Sequence, residues 1–316
     1  MIDGLVPALD ILRWTTKNET AVCAFNFSNM EMLQVIIATA AEVKLPIILQ
    51  VTESTINYIG LDYIIAMVSA AVKDIDIPIA LHLDHGKDSH ICKRCIDAGF
   101  SSVMIDKSSA RFTENVTCTK EVVELAKKAG VSVEGELGTL TGREDDVSIS
   151  GAAELFTDPD QAYRYIESTK VDSLAIAIGS SHGPFKGQNA PPKLDLNRLR
   201  EIKCLVGPFY PLVLHGASAV YPDLLDICNR YGADIHGACG LKDEDVKASI
   251  KFGINKVNVD TDIRVAFMAG IRRSLNENPN SLDVRKHFGL AKEMMRDVVI
   301  KKIKLITNTA NGGSLD

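Results

Sequence analysis

The sequence predicts an α/β protein built as a (β/α)8 TIM barrel with a C-terminal helical extension. Three observations lead to this fold class: short apolar runs alternate with segments of helical length, there are eight such runs, and they are rich in Val, Ile and Leu. Continuous apolar strands separated by helices are typical of parallel sheets that helices cover. Eight β–α units in a chain of 316 residues match a closed barrel.

Turn residues or helical segments bound each apolar run. The eight predicted strands span 21–27, 46–51, 78–84, 101–106, 132–138, 173–179, 211–216 and 256–261. A doubly wound sheet is the alternative, but the stretch "FNFSNME" stands where a glycine-rich dinucleotide turn would follow the first strand. Helical patterns at 262–276 and 286–306 predict a closing helix and the extension. Because no low-complexity linker interrupts the pattern, we expect a single domain over 1–316.

Composition narrows the class of partner. Hydrophobic residues make up 46% of the chain, enough for a sizeable core, and the net charge of −6 offers no basic field to nucleic acid or an anionic membrane. The apolar stretch "YIIAMVSAAV" is too short to span a bilayer, and no basic-then-apolar leader is seen. Seven scattered cysteines suit a reducing compartment. We therefore expect a cytoplasmic protein that acts on a small molecule, without nucleic-acid or membrane partners.

Three of the seven histidines follow three different predicted strands, and each stands directly before a glycine. They are His85, His182 and His215. Active-site residues of such barrels lie at the carboxyl ends of the strands, so we expect the three imidazoles to meet at one mouth of the barrel. A single histidine there is usually a hydrogen-bonding residue. Three at equivalent positions predict a Zn²⁺ site with an open coordination position.

Carboxylates and a fourth histidine lie near the predicted ligands. Asp84 precedes His85 and is either a proton-transfer group or a hydrogen-bond partner of a ligand imidazole. Asp106 and Glu136 end strands four and five and are candidate ligands at an alternate metal position. His82 shares the strand parity of Asp84, so it either faces the site or has a structural role.

Glycine-flanked loops predict an anion site at the same mouth. The stretches "SHGPFKG" and "LHGAS" offer backbone N–H groups, a lysine and a serine hydroxyl, and "NVDTD" places a threonine hydroxyl near a helix N-terminus. An arginine one turn into that helix offers forked donors to a second anion. The candidate anion ligands are Gly183, Lys186, Gly216, Ser218, Thr261 and Arg264. Other polar residues near strand ends that complete the candidate site are Asn26, Thr52, Asn258 and Asp260.

Six separated motifs occur in order along the chain: "LHLDHG", "SSVMID", "VEGELGTLTGREDD", "IAIGSSHG", "LVLHGAS" and "KVNVDTDIR". By these motifs the chain resembles the class II, zinc-dependent fructose-bisphosphate aldolases, from "AFNFSNMEMLQ" to about residue 300. The resemblance implies aldol cleavage of fructose 1,6-bisphosphate to dihydroxyacetone phosphate and glyceraldehyde 3-phosphate through a zinc-stabilised enediolate. It also implies Zn²⁺, a monovalent cation (Na⁺ or K⁺) near the phosphate loops, a homodimer or homotetramer, and a place in glycolysis and gluconeogenesis.

The resemblance assigns roles residue by residue. The implied zinc ligands are His85, His182 and His215. Asp84 would move the proton at the hydroxyl whose carbon–carbon bond breaks, and Glu144, in "GREDD", matches the family's mobile-loop acid and would move the proton at the dihydroxyacetone phosphate carbon. The residues that would hold the 1-phosphate are Gly183, Gly216, Ser218 and Thr261. The other implied contacts are Asn258 to the ketose backbone, Asp260 near the C4 hydroxyl and Arg264 to the 6-phosphate.

Some features of the motifs bear on substrate and on competing hypotheses. Relatives that prefer tagatose bisphosphate tend to lack Asp260 and Arg264, so fructose 1,6-bisphosphate is expected, and tagatose bisphosphate or another ketose phosphate is the alternative. The chain departs from the family pattern at 107–112, "KSSARF", where a Ser-His pair is common, and at Gly135, where Ala is usual.

A Schiff-base aldolase using Lys107 leaves the three histidines unexplained. A barrel that only binds leaves the complete catalytic set unexplained.

Overall fold

Parallel strands close into a barrel, which confirms the predicted fold class. The computed structural model describes residues 1–139, 142–144, 147–149, 156–183 and 192–307, with the backbone alone for 142–144 and 147–149. The strands in this part of the chain are β1 (Val22–Asn26), β2 (Ile47–Thr52), β3 (Ile79–Gly86), β4 (Ser102–Ile105), β5 (Ser132–Leu137), β6 (Gly142–Glu144), β7 (Val147–Ile149), β8 (Ser173–Ile176), β9 (Leu212–Leu214) and β10 (Ile254–Val259). The barrel order is β1-β10-β9-β8-β5-β4-β3-β2, with β2 paired back to β1.

Helices surround the barrel and connect its strands. Those described are α1 (Ala8–Lys17), α2 (Met30–Val43), α3 (Glu53–Ile59), α4 (Leu61–Val72), α5 (Ser89–Ala98), α6 (Phe112–Ala129), α7 (Pro159–Thr169), α8 (Leu196–Val206), α9 (Pro222–Arg230), α10 (Asp243–Lys251), α11 (Thr261–Glu277) and α12 (Val284–Thr307). The closing helix and the C-terminal extension predicted from the sequence are α11 and α12. The extension packs against α11 and α2 of its own barrel.

Side-chain caps start several helices soon after a strand has ended. Oδ1 of Asn29 accepts the N–H of Met32 at 2.8 Å and begins α2. Oδ1 of Asp88 accepts the N–H of Ile91 at 2.9 Å and begins α5. Such caps satisfy N–H groups that the first helical turn leaves without partners. The chain therefore turns from strand to helix within a few residues, and the polar strand ends remain at the mouth of the barrel.

The register aligns the polar strand ends with one another. Asn26 on β1 pairs with Gln50 on β2, and Thr52 at the end of β2 pairs with Asp84 on β3. On the other side of β1, Ala24 pairs with Asn258 on β10. Because side chains alternate between the two faces of a strand, this register brings the polar residues toward the barrel axis at one level.

The hairpin of β6 and β7 is the main element that the sequence pattern does not predict. Its antiparallel ladder pairs Gly142 with Ile149 and Glu144 with Val147, in the connection after β5. Each of these two strands has only three residues, which is too few for an alternating pattern to be recognised. The barrel strands were predicted within a few residues; the largest difference is at β8, which ends at Ile176 rather than at 179.

The length and hydropathy of the helices bear on whether any of them could span a bilayer. Within the described ranges, no single helix is long and apolar enough. The consecutive helices α3 and α4 meet these criteria only when taken together, and they bend by 91° where they meet. In α4 the residues Ile64, Val68 and Val72 are buried within the protein.

Candidate metal centre and active site

The imidazole of His85 is held at the barrel mouth by the backbone of β3 and by a neighbouring carboxylate. His85 has a left-handed φ of 51°. Its Nδ1 lies 2.8 Å from Oδ2 of Asp106, the residue directly after β4. A carboxylate at Nδ1 favours a proton on that nitrogen, which leaves the lone pair of Nε2 for another partner. His85 is therefore oriented as a ligand through Nε2.

His215, directly after β9, is oriented by a second carboxylate. Its Nε2 lies 2.8 Å from Oε1 of Glu134 on β5, so Nδ1 is the nitrogen left for a ligand role. This Nδ1 lies 2.9 Å from Nε2 of His85. Two imidazole lone pairs that face each other at this distance repel unless a proton or a cation lies between them. The pair of rings therefore fits a bound cation.

His182 completes the predicted trio. Its ring centroid lies 5.0 Å from that of His85 and 6.0 Å from that of His215, both in edge-to-face arrangements. The candidate ligand atoms of the three residues all lie within 4.8 Å of one another. Three imidazole nitrogens, two of them backed by carboxylates, are the donor set of a catalytic zinc site. The residues present therefore fit Zn²⁺.

A second group of candidate metal ligands shares His85. It joins His85 to Asp106 and Glu136, again within 4.8 Å. Oε2 of Glu136 lies 3.6 Å from Nδ1 of His85, and it is buried without a hydrogen-bond partner among the described residues. Burial and the nearby Asp106 carboxylate raise the pKa of Glu136 well above its usual range. A buried oxygen of this kind fits the predicted alternate metal position.

A buried polar layer lies beside the histidines inside the barrel. Nζ of Lys256, on β10, lies 2.8 Å from Oε2 of Glu134 and 3.4 Å from Nε2 of His82. Nδ1 of His82 lies 2.8 Å from the hydroxyl of Ser102. Burial raises the pKa of Glu134. The Lys256 ammonium and the imidazoles of His215 and His82 lower it by more, so the pKa of Glu134 lies below its usual value. Glu134 is therefore ionised, and the contacts of His82 support the structural alternative for that residue.

Asp84 lies in a cluster of amide side chains. Its fully buried carboxylate accepts hydrogen bonds from Nδ2 of Asn26 at 3.0 Å, Nε2 of Gln50 at 3.3 Å and Nδ2 of Asn258 at 3.2 Å. Gln50, which the sequence did not single out as a site residue, also donates to Oδ1 of Asn26 at 2.6 Å. Nδ2 of Asn258 is 3.2 Å from Nδ1 of His215. The amides therefore orient Asp84 and connect it to the candidate metal site.

A small cavity adjoins the histidines next to the ends of β9 and β10. It is lined by His182, Gly183, His215, Gly216, Ser218, Asn258, Asp260 and Thr261. Gly216 has a φ of 62°, and a Cβ there would lie 2.4 Å from the carbonyl oxygen of Ser181. Only glycine lets these two loops approach so closely. The structure thus brings most of the predicted anion ligands together around one space.

Asp260, which lines this cavity, forms an ion pair with Arg264, whereas the sequence predicts separate substrate contacts for the two residues. Nε of Arg264 donates to Oδ1 of Asp260 at 2.8 Å, and the Arg264 side chain is 39% exposed. The backbone N–H of Asp260 donates to Oγ of Ser218 at 3.4 Å. Thr261 is the first residue of α11, where helix N–H groups lack intrahelical acceptors. The contact with Asp260 therefore fixes the orientation of the Arg264 guanidinium, while the partly exposed side chain remains accessible to a ligand.

Among the predicted site residues, Thr52 also caps a helix, and the side chains of two others lie outside the described part of the structure. The hydroxyl of Thr52 accepts the N–H of Thr55 at 3.3 Å and so caps α3 at the end of β2. Glu144 belongs to β6, but its side chain lies outside the described part of the structure. Lys186 lies outside the described residues altogether.

The two departures from the family pattern have local physical reasons. A Cβ at Gly135 would lie 2.7 Å from the hydroxyl of Tyr165, so glycine makes room for that ring. The Tyr165 hydroxyl donates to Oδ1 of Asn115 at 3.0 Å, and the amide of Asn115 donates to a carbonyl of β5 at 2.9 Å. In the segment 107–112, the N–H and hydroxyl of Ser108 donate to Asp106 Oδ1 at 3.0 and 2.7 Å. Gly135 thus accommodates a tyrosine that is linked through Asn115 to β5. Ser108 fixes the carboxylate of Asp106, which contacts His85.

Comparisons with known proteins point to one family. The model of the family "Fructose-bisphosphate aldolase class-II" matches residues 6–311. A fructose-bisphosphate aldolase of Helicobacter pylori (strain J99) is 44% identical over 303 residues, which cover 96% of this chain and 98% of that protein. One from Thermus caldophilus is 43% identical over 301 residues, covering 95% and 97%. The solved structure of the YdjI aldolase from Escherichia coli K12 matches with a TM-score of 0.76 at 28% identity, covering 96% and 97%.

Proposed function

The chain belongs to the class II fructose-bisphosphate aldolase family, and from this premise we propose that it cleaves fructose 1,6-bisphosphate reversibly to dihydroxyacetone phosphate and glyceraldehyde 3-phosphate. The observation that carries the proposal is the cluster of His85, His182 and His215 with Asp84 beside it. Family membership leaves the Schiff-base hypothesis and the purely binding hypothesis without support.

The three histidines would hold Zn²⁺ through Nε2 of His85, Nδ1 of His215 and a ring nitrogen of His182. When bound, zinc supplies a Lewis acid that stabilises negative charge developing on the C2 oxygen of the ketose. Asp106 and Glu134 hold protons on the outer nitrogens of His85 and His215, so neutral imidazoles face the metal. Asp106 and Glu136 would provide the alternate position.

Asp84 would take the proton of the C4 hydroxyl as the C3–C4 bond breaks. The C4 oxygen then becomes the aldehyde oxygen of glyceraldehyde 3-phosphate, and the electron pair of the broken bond passes to C3, beside the C2 carbonyl. Glu144 would return a proton to C3 and complete dihydroxyacetone phosphate. The amides of Asn26, Gln50 and Asn258 hold the Asp84 carboxylate in place, which suits a positioned base.

Substrate binding would divide between the two ends of the ketose. The 1-phosphate would lie among Gly183, Gly216, Ser218 and Thr261, with Lys186 nearby, and Asn258 would contact the ketose backbone. Asp260 would contact the C4 hydroxyl, and Arg264 the 6-phosphate, since its guanidinium is exposed at the rim. Asn26 and Thr52 would complete the wall beside Asp84. The Asp260–Arg264 pair supports fructose over tagatose bisphosphate as substrate.

Several broader properties belong to the same proposal. A monovalent cation near the phosphate loops, a homodimer or homotetramer, and a role in glycolysis and gluconeogenesis follow from the family resemblance. We also propose one domain over 1–316. The seven cysteines are scattered along the chain and odd in number, which supports a reducing, cytoplasmic location.

Cleavage of fructose 1,6-bisphosphate and of tagatose 1,6-bisphosphate, measured in parallel, tests the proposal. Each assay is run before EDTA treatment, after it, and after Zn²⁺ is added back. We expect activity on the fructose substrate that EDTA removes and zinc restores. Zinc-dependent activity on tagatose bisphosphate alone would overturn the substrate assignment. Activity that survives metal removal would overturn the metal assignment.

A further inference from the structure

The carboxylate of Asp262 shapes the loop that follows β9. Asp262 is fully buried near the start of α11. Its Oδ2 accepts the N–H of Ala219 at 2.9 Å, and its Oδ1 accepts the N–H of Val220 at 2.7 Å. Val220 has a left-handed φ of 52°, which a β-branched residue adopts only when its surroundings impose it. One carboxylate therefore holds two consecutive N–H groups in a strained turn.

This turn carries groups of the candidate anion site. Ser218 directly precedes it and lines the cavity beside the histidines. The Ser218 hydroxyl accepts the N–H of Asp260, and its carbonyl oxygen accepts the N–H of Leu241 at 3.0 Å. A rotation of the peptide groups at Ala219 or Val220 would displace the Ser218 hydroxyl. The geometry of the anion site thus depends on Asp262, which does not line the cavity.

The positive charge that balances Asp262 comes from the C-terminal helix. Lys302, on α12, is 1% exposed, and its Nζ lies 3.0 Å from Oδ2 of Asp262 and 3.3 Å from Oδ1 of Asp243. It also lies 5.0 Å from the ring centroid of Tyr221. Burial lowers the pKa of Lys302, but Asp262, Tyr221 and Asp243 together raise it above its usual value. A charged ammonium therefore compensates the buried carboxylate.

We propose that Lys302 is a positioning residue for the phosphate site: through Asp262, the C-terminal helix holds the turn at Ala219 and Val220 in the conformation that binds the 1-phosphate. The inference rests on the proposed function for the identity of the anion. Without the ammonium, Asp262 would be a buried charge that takes up a proton or admits water. Either change weakens its hold on the two N–H groups, so affinity for phosphate falls while Asp84, on β3, keeps its place.

Lys301 provides a matched control on the same helix. It directly precedes Lys302, its Nζ lies 3.4 Å from the ring centroid of Tyr221, and it lies 4.0 Å from Oδ2 of Asp243. Its side chain is 53% exposed, and no ion pair between Lys301 and Asp262 is found in the described part of the chain. The two lysines therefore share Tyr221 and Asp243, and they differ in the contact with Asp262.

The test compares zinc-loaded Lys301→Met and Lys302→Met. The quantities measured are kcat and KM for fructose 1,6-bisphosphate and the dissociation constant of inorganic phosphate. We expect Lys302→Met to raise KM and the phosphate dissociation constant about tenfold while kcat changes less than about threefold. Lys301→Met should match the wild type. Lys302→Arg, which retains the charge, should recover most of the phosphate affinity. Equal phosphate affinity in the two methionine variants would overturn the inference.

A second variant keeps the test decisive if Lys302→Met does not fold. Asp262→Asn retains one acceptor oxygen for the two N–H groups, so we expect weaker phosphate binding there as well. An unchanged phosphate dissociation constant in Asp262→Asn would overturn the inference. Phosphate binding does not require turnover, so failure of the wild type to cleave fructose 1,6-bisphosphate would count against the proposed function alone.

Discussion

Oε1 of Glu134 lies 2.8 Å from Nε2 of His215, while the other oxygen of the same carboxylate lies 2.8 Å from Nζ of Lys256. All three side chains are buried within the barrel. Because Lys256 offsets the charge of Glu134, the carboxylate remains ionised where burial would otherwise favour a proton. The ionised oxygen holds the imidazole so that Nδ1 is left for a metal.

Glu134→Gln is expected to weaken zinc binding about 10- to 100-fold, since the neutral amide no longer fixes the His215 ring. The measurement is competition for Zn²⁺ with a chelator of known affinity. Glu167→Gln is the control, because Glu167 forms an exposed pair with Lys170 at 2.8 Å on the barrel exterior. Zinc affinity equal to that of the wild type would show that Glu134 does not orient the ligand.

Asp84→Asn is expected to lower kcat for fructose 1,6-bisphosphate cleavage about 100-fold or more, because the amide cannot take up the hydroxyl proton. The side chain keeps its size and one acceptor oxygen for Asn26, Gln50 and Asn258. Zinc content, measured by metal analysis, should therefore remain that of the wild type. Near-normal turnover would remove Asp84 from the proton-transfer step.

Arg264→Ala is expected to raise KM for fructose 1,6-bisphosphate about 10- to 100-fold through loss of charged hydrogen bonds to the 6-phosphate. Steady-state kinetics with fructose 1-phosphate, which lacks that group, should show a much smaller change. Arg273→Ala serves as control, since Arg273 lies on the same helix and pairs with Glu277 at 2.9 Å. Equal increases of KM for the two substrates would contradict the 6-phosphate role.

The ammonium of Lys203 gives a prediction about pH and stability. Nζ donates to the carbonyl of Tyr210 at 2.7 Å and to Oδ1 of Asn255 at 3.3 Å, and burial lowers its pKa from 10.5 to about 8. Between these two pH values the unfolded chain holds a proton that the folded chain has released. Stability therefore rises with pH across this window.

The measurement compares urea unfolding of the wild type and Lys203→Met at pH 7.5, 8.5 and 9.5. The free energy of unfolding of the wild type should gain about 1 kcal/mol relative to Lys203→Met between the lowest and highest pH, after allowance for solvent screening. Lys251→Met, which removes an exposed lysine that lines the same surface pocket as Lys203, should leave the pH dependence unchanged. A constant difference between wild type and Lys203→Met would refute the burial effect.

Most of the barrel could be predicted because its signal is local. Strand and helix periods depend on residues a few positions apart, and the apolar runs of the eight barrel strands were long enough to be seen. The hairpin of β6 and β7 was missed because each strand has three residues. The candidate ligands His85 and His215 could be found because each stands at or just after the end of a barrel strand.

The sequence pattern assigns no role to the inner partners of the site, although Gln50 and Glu134 are among the residues at the predicted strand ends. Each of these partners lies two residues before a predicted site residue, so the two side chains face the same side of the strand. The pairs are Gln50 and Thr52, Glu134 and Glu136, and Lys256 and Asn258. Strand parity could have placed all three inside the barrel. It could not have paired Lys256 with Glu134, because β10 and β5 are not neighbours in the barrel.

The sequence by itself determined which residues end the strands and therefore which of them face the mouth, because alternation along a strand is a property of neighbouring residues. Only the tertiary structure decided which charges meet. The contacts of Glu134 with His215 and Lys256, and of Asp262 with Lys302, join elements far apart in the chain. Such contacts depend on distances of about 3 Å, and barrel closure and the packing of α12 on α11 set those distances.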